Sequence, residues 1–381
     1  MKKHSIYLDH AATTPVSSEV LSVMLPYFSD KFYNPSASYL ESRQIKSDLE
    51  EARSTVANLL GVNAATINFV AGGSEANNLA IHGVMGQYPE ANVITSDLEH
   101  DSVFKPLEHY NYKTAQLKPD GVIDLNSIAK LIDSQTVLIT LMLANNEIGT
   151  IQPIKELSSL VEEVRKQRKL DNNQLPLYIL ADGCQAGNFM DLHINNLKVD
   201  LLSLNGSKIY GPKQSGVLYV RPGLTIRPLI QGGGQEHNLR SGTENVAFAI
   251  AFAKALEMAQ QSRKSELSRL KTIQQHFIKQ IKTALPQVIV NGSLKTRLPN
   301  NIHLTFPGVD NERLLFKLDD AGVMASAGSA CSASSNKPSR VLAAIGLDEG
   351  LIRSSIRLTM GRITTIEDID KVVGILQKLV K

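Results

Sequence analysis

Between residues 45 and 60 the apolar positions Ile45, Leu49, Ala52, Val56, Leu59 and Leu60 recur at helical spacing, and Gly61 follows as a stop signal. An amphipathic helix is predicted there. Short apolar runs then predict strands at 67–70, 92–95, 137–143, 177–181, 200–204 and 216–220, with helical patterns between most of them. Such alternation through the first 260 residues predicts a largely parallel α/β sheet. From Thr243 the pattern changes to two long helical stretches, 246–260 and 267–285, which predict a domain border. Beyond it lie a strand at 301–306, a helix at 311–321, an Ala/Ser/Gly loop at 325–335, a strand at 354–359 and a last helix from Ile366. These make a smaller α+β unit. No internal repeat is present, and no other low-complexity tract.

A length of 381 residues suits two or three structural units, and 43% hydrophobic with 20% charged residues excludes a disordered chain. The longest nearly unbroken apolar stretch, 137–144, contains Thr140 and is too short to cross a bilayer, so no membrane span is expected. Lys2 and Lys3 are followed by Ile6, Tyr7 and Leu8 and then at once by Asp9 and His10, which leaves no signal-peptide core. A cytoplasmic protein is expected. Net charge is +3, and Lys and Arg form no dense block, which argues against direct nucleic-acid binding. Two cysteines, Cys184 and Cys331, cannot build a disulfide framework or a CxxC knuckle. Each is a small core hydrophobe or a reagent.

Common nucleotide motifs fail: Gly206 and Gly211 have Walker spacing, but Pro212 stands where the lysine belongs, and Gly232, Gly233 and Gly234 lack the later glycine of GxGxxG. There is no HExxH and the histidines do not cluster, so no catalytic metal is expected. More informative is Gly72-Gly73-Ser74, where a predicted strand turns into a helix. Its backbone N–H groups and helix dipole could hold a phosphate, or Ser74 could be an ordinary N-cap. Asp182 follows one predicted strand and Lys208 the next, at the carboxyl ends where open α/β sheets place ligands. A carboxylate and an amine so placed match pyridoxal 5'-phosphate (PLP), which needs an acid at its ring nitrogen and a lysine at its aldehyde. Either residue alone is more often an ordinary strand-end or turn residue.

Five stretches carry a more specific signal: Tyr-Leu-Asp-His-Ala-Ala-Thr-Thr-Pro at 7–15, Asn-Asn-Glu-Ile-Gly at 145–149, Lys-Ile-Tyr-Gly-Pro-Lys at 208–213, Arg-Ser-Gly-Thr at 240–243 and Gly-Ser-Ala-Cys at 328–331. In this order, over nearly the whole chain, they resemble the cysteine desulfurases of the NifS/IscS type, a class V aminotransferase group with the fold-type I PLP architecture. The resemblance implies a large domain at 16–256, with a mostly parallel seven-stranded sheet flanked by helices. It also implies a small α+β domain from 1–15 and 257–381, which carries a catalytic cysteine loop at 325–338.

The resemblance further implies that Lys208 anchors PLP, Asp182 pairs with the ring nitrogen, and His100 stacks on the ring and relays protons. Gln185 and Asn146 would contact the phenolic oxygen or the substrate, and Gly73 and Ser74 the phosphate. In a homodimer Thr243 would reach the phosphate of the neighbouring subunit. Arg357, helped by Asn34, would clamp the substrate carboxylate. Cys331 sits among small residues with little to bury, an expectation of a mobile loop, and would take sulfur from L-cysteine as a persulfide. Cys184 is expected as a packed core residue. Asn205 and Ser207 stand where many relatives carry Ser and His on the phosphate; both can still donate hydrogen bonds, but the imidazole is gone. The chain ends soon after its last helix, whereas relatives that dock an iron–sulfur scaffold often have a longer tail. The expected acceptor is therefore left as an iron–sulfur scaffold or a tRNA thiolase. Rival readings are another class V activity, such as selenocysteine lyase or an aminotransferase, and a scaffold weakened at Asn205 and Ser207.

Overall fold

Residues 5–328 and 338–380 are described by the computed structural model. The chain enters as a two-residue strand, β1 (Ile6–Tyr7), and then builds one seven-stranded sheet. Its strands are β2 (Ile67–Val70), β3 (Asn92–Ser96), β4 (Asn111–Ala115), β5 (Thr136–Met142), β6 (Tyr178–Asp182), β7 (Leu201–Asn205) and β8 (Gly216–Val220). They lie in the order β2-β8-β7-β6-β5-β3-β4. Strands β3 to β7 run parallel to their neighbours, and only β8 is reversed, antiparallel to both β7 and β2. The reason is the β7–β8 connection, which holds a single 3-10 turn (Gly206–Lys208) and is too short for a crossover helix.

Both faces of this sheet are covered. Ile139, Leu141, Ile179, Ala181, Leu202, Leu204 and Val217 pack under the helices Leu40–Leu60 and Ile154–Leu170. The alternate residues Leu138, Leu180, Leu201 and Leu218 pack against the helix Gly73–Met85. Strand β5 is buried along its whole length, which is why it reads as an apolar run rather than an alternation. Helix Leu40–Leu60 ends where the spacing predicts, at Gly61 with φ 67°. A larger residue there would be strained by the positive φ and would have to displace the His193 ring, whose Nε2 would stand 2.0 Å from its Cβ.

The two helical stretches predicted at 246–260 and 267–285 form one helix, Val246–Ala284. The linking Gln-Ser-Arg-Lys-Ser-Glu contains neither Gly nor Pro, so nothing interrupts the hydrogen-bond ladder. Its first half, with Phe252 and Leu256, belongs to the sheet core. Its second half, with Leu270, Ile273, Phe277 and Ile281, belongs to a separate core. That core covers an antiparallel sheet of β9 (Ile289–Val290), β10 (Asn301–Thr305) and β12 (Ser355–Thr359), with β11 (Val323–Met324) beside it. Helices Asn311–Asp320 and Ile366–Val380 complete it. Strand β1 pairs in parallel with β11, so the two ends of the chain share this second core through Ile6 and Leu8. Among the described residues, no helix is long and apolar enough to cross a membrane.

Candidate active site

The carboxyl ends of β6 and β7 open onto a cavity of about 250 Å³. Gly73, Ser74, His100, Asn146, Asp182, Gln185, Asn205, Lys208 and Arg357, all singled out from the sequence, line it together. One wall is the N-terminus of helix Gly73–Met85. Its N-cap is Gly72, with φ 117°, so Ser74 lies inside the first turn and is not the capping residue. A Cβ on Gly73 would come within 2.4 Å of Cys184 Sγ. Glycine thus keeps this helix end, where backbone N–H groups lack intrahelical partners, open to the cavity.

Asp182, the last residue of β6, is 7% exposed. Asn77 Nδ2 donates to its Oδ2 at 2.9 Å, and the Cys184 amide donates to Oδ1 at 2.9 Å. Two donors on different elements therefore fix the carboxylate plane. Lys208 closes the 3-10 turn after β7, and its Nζ donates to the carbonyl of Ala12. Its own carbonyl accepts from Asn188 Nδ2 at 2.7 Å. The N-terminal motif straps this turn down: the Thr14 amide donates to the Ser207 carbonyl at 2.9 Å, and the Tyr210 amide to Thr14 Oγ1 at 2.8 Å. Gln185 Nε2 donates to the Ala11 carbonyl at 3.1 Å. Ala11 and Ala12 consequently face the cavity, a role that no polar side chain advertised.

His100 is the N-cap of helix Asp101–Leu107, its Nδ1 accepting from the Ser102 amide at 3.0 Å. A ring nitrogen that accepts from an amide carries no proton, so the neutral ring is protonated at Nε2. Arg357, in the middle of β12, is 1% exposed. Its Nη2 donates to Asp9 Oδ1 at 2.7 Å and its Nη1 to the Asn146 carbonyl at 3.0 Å, while buried Nε has no protein partner. His303 lies opposite it on β10, and burial together with the positive charge of Arg357 pushes its pKa down to about 3. It stays neutral, with Nδ1 paired to Asn291 Nδ2 at 2.9 Å.

Other expected residues fall elsewhere. Asn34 is exposed and its Oδ1 accepts from the Ser36 amide at 2.9 Å. Thr243 is exposed, between Gly242 and Glu244, which line a separate cavity of about 180 Å³. Ser207 is buried beside the main cavity, with its Oγ on Asn205 Oδ1 at 3.1 Å, so of the two departures only Asn205 lines it. Cys331 and the loop residues 329–337 lie outside the described residues. Cys184 is not the packed core residue expected: it is half-buried and lines the cavity, because it sits two residues past the end of β6. Burial, with the Asp182 charge adding, raises its thiol pKa and keeps it protonated.

Two polar residues behind the site escaped the sequence analysis. Asn77 lies one turn into a mostly buried helix beside Asn78, and nothing in the sequence distinguishes the buried amide from its half-buried neighbour. Glu99, immediately before His100, is 1% exposed; its Oε1 accepts from the Met142 amide at 2.7 Å and its Oε2 has no partner. Burial first, and then the Asp182 charge, push its pKa up to about 8, with Arg340 opposing. In the unfolded chain this carboxyl ionises near 4.5. Its contribution to stability is therefore intact below that pH and is lost progressively as pH rises from about 4.5 to about 8. Glu99→Gln, which imitates the neutral acid, should leave the urea midpoint unchanged at about pH 5 and raise it at about pH 9. A variant less stable than wild type at the higher pH would show that an ionised Glu99 is needed.

The donor set suits PLP: a helix N-terminus for a phosphate, an oriented carboxylate for a ring nitrogen, an amine for an aldehyde, and a guanidinium left for a substrate carboxylate. Fold and site together define a PLP enzyme of fold type I. A family model for aminotransferase class V matches residues 6–372. A cysteine desulfurase IscS of Dictyoglomus turgidum is 40% identical, with 100% of this chain and 95% of the relative aligned. Another, of Methanosarcina thermophila, is 37% identical over 99% of this chain and 92% of its own. The solved structure of a NifS-like protein superposes with a TM-score of 0.90 at 27% identity, covering 99% of both chains. The chain belongs to the PLP-dependent class V aminotransferase family, in its NifS/IscS-type branch.

Proposed function

We propose that the protein is an L-cysteine desulfurase that converts L-cysteine to L-alanine and holds the sulfur as a persulfide on Cys331. The observation that carries this reading is the convergence of Asp182, Lys208 and Arg357 on one cavity in a chain 40% identical to a cysteine desulfurase. When bound, PLP supplies an electrophilic aldehyde and an electron sink next to the substrate's α-carbon. Lys208 would hold it covalently, Asp182 would take its ring N–H, and Gly73, Ser74 and Asn205 would hold its phosphate, with Thr243 of a second subunit in a homodimer. His100, Gln185 and Asn146 would orient it and the substrate.

Arg357 then receives the substrate carboxylate. The Cys331 thiolate attacks the substrate sulfur. An S–S bond forms as the Cβ–S bond breaks, both electrons of the broken bond stay with carbon, and a proton completes the alanine methyl group. His100 is the proton relay. A cytoplasmic acceptor protein serving iron–sulfur assembly or tRNA thiolation takes the sulfur onward.

Given L-cysteine and dithiothreitol, the purified protein should release alanine and sulfide in equal amounts. Cys331→Ala should form alanine at least about tenfold more slowly. Undiminished turnover by that variant would exclude the persulfide route.

A further inference from the structure

The chain segment that carries Cys331 leaves and rejoins the described structure at two stems, and both are fastened to the cavity wall. On the entering side the Arg357 amide donates to the Ser326 carbonyl at 2.6 Å, and the Ser326 amide donates back at 3.2 Å. Ser326 Oγ donates to the Gly328 carbonyl at 2.9 Å. Gly328 lies against Glu147, so that a Cβ on it would stand 3.2 Å from Glu147 Oε2. On the returning side Ser339 Oγ donates to the same Oε2 at 2.6 Å. Arg340, the next residue, lies across the turn that carries His100. Its Nη2 donates to the Glu99 carbonyl at 2.6 Å and meets Asp101 Oδ1 at 3.3 Å, its Nε reaches the Asp97 carbonyl at 3.3 Å, and its guanidinium covers the Phe104 ring at 3.8 Å.

We propose that Glu147 and Arg340 are positioning residues for sulfur transfer: the Glu147 carboxylate holds the returning stem at Ser339, close beside Gly328 of the entering stem, and Arg340 ties the returning stem to the His100 turn. This rests on the desulfurase reading above. Neither residue lines the cavity, so neither has a direct part in holding cofactor or substrate. Their effect is on the thiol's supply. Anchoring both ends of a segment confines its middle, and releasing the returning end, while the Ser326–Arg357 backbone bonds keep the entering one, lowers the effective concentration of that middle at the cavity. Glu147 suits the task because its side chain is free to serve: its backbone is held separately, the amide by Asn145 Oδ1 at 2.9 Å and the carbonyl by Asn301 Nδ2 at 2.9 Å.

The test uses PLP-loaded wild type, Glu147→Ala, Glu147→Gln and Arg340→Ala. Three quantities are read: PLP content, L-cysteine affinity from the change in cofactor absorbance, and the rate at which Cys331 gains one sulfur, by rapid quench and mass spectrometry. Both alanine variants should keep PLP content and affinity within about twofold of wild type while the sulfur gain slows about tenfold. Glu147→Gln, which retains an oxygen acceptor for Ser339, should recover most of the rate. Unchanged sulfur gain in both alanine variants overturns the inference. So does a loss of PLP content or affinity as large as the loss of rate, which would mark a merely structural role. A wild type that forms neither alanine nor persulfide overturns the desulfurase reading and this inference with it, whereas an active wild type matched by its variants overturns this inference alone.

Discussion

Lys208→Ala should lower alanine formation at least about a thousandfold and leave a folded protein that loses its visible cofactor absorbance on gel filtration. The amine's position is set three times over. Strand β7 is paired on both sides, the 3-10 turn projects the residue beyond the sheet, and the Thr14 and Asn188 bonds hold that turn in place. Removing the side chain touches none of these backbone contacts and gives up the Nζ bond to the Ala12 carbonyl, so thermal stability should fall only modestly. The phosphate cradle at Gly73 and the carboxylate of Asp182 would remain, so the variant should still take up PLP, but reversibly. Lys208→Arg separates charge from covalency: it keeps the cation and lacks the nucleophilic amine, and should fail in the same way. Retention of colour and turnover by either variant would remove Lys208 from the mechanism and with it the proposed function.

Legibility in the sequence followed burial. Strands buried on both faces, β5 above all, announce themselves as apolar runs, and Asp182 and Lys208 were readable because one ends such a strand and the other closes the short turn after the next. Strand β4 was not readable: it is an edge strand, Asn-Tyr-Lys-Thr-Ala, with only Ala115 buried. Pairing of β1 with β11 joins residues more than 300 positions apart, which no local periodicity encodes. The site shows the same division. Residues that follow a strand end or a glycine turn were found, whereas Asn77, which donates to Asp182 from behind, and Glu99, buried where the Asp182 charge reaches it, reveal themselves only through packing. Cys184 was misplaced because a small residue just past a strand reads alike whether it faces the core or a cavity.

Arg357→Ala should raise KM for L-cysteine about a hundredfold and lower folding stability by about 3 kcal/mol. Two separate roles meet in this side chain. Structurally, it is 1% exposed and its ion pair joins β12 to Asp9 of the N-terminal motif. Truncation would leave Asp9, with a side chain only 19% exposed, without its cation. Functionally, Lys208 and Arg357 are the Lys and Arg side chains that line the cavity among the described residues, and Lys208 is assigned to the cofactor. A guanidinium has five N–H donors. Asp9 and Asn146 engage two of them and Nε has no protein partner, so donors remain for a bidentate grip on a carboxylate. Asp9→Asn separates the roles. It weakens the ion pair but leaves the guanidinium with less negative charge beside it, so stability should fall by about 1 kcal/mol while KM rises no higher than wild type. Urea titrations and steady-state kinetics on both variants decide the matter: if Arg357→Ala loses stability while its KM stays at the wild-type value, the residue is a structural cation and the substrate carboxylate must be held by another group.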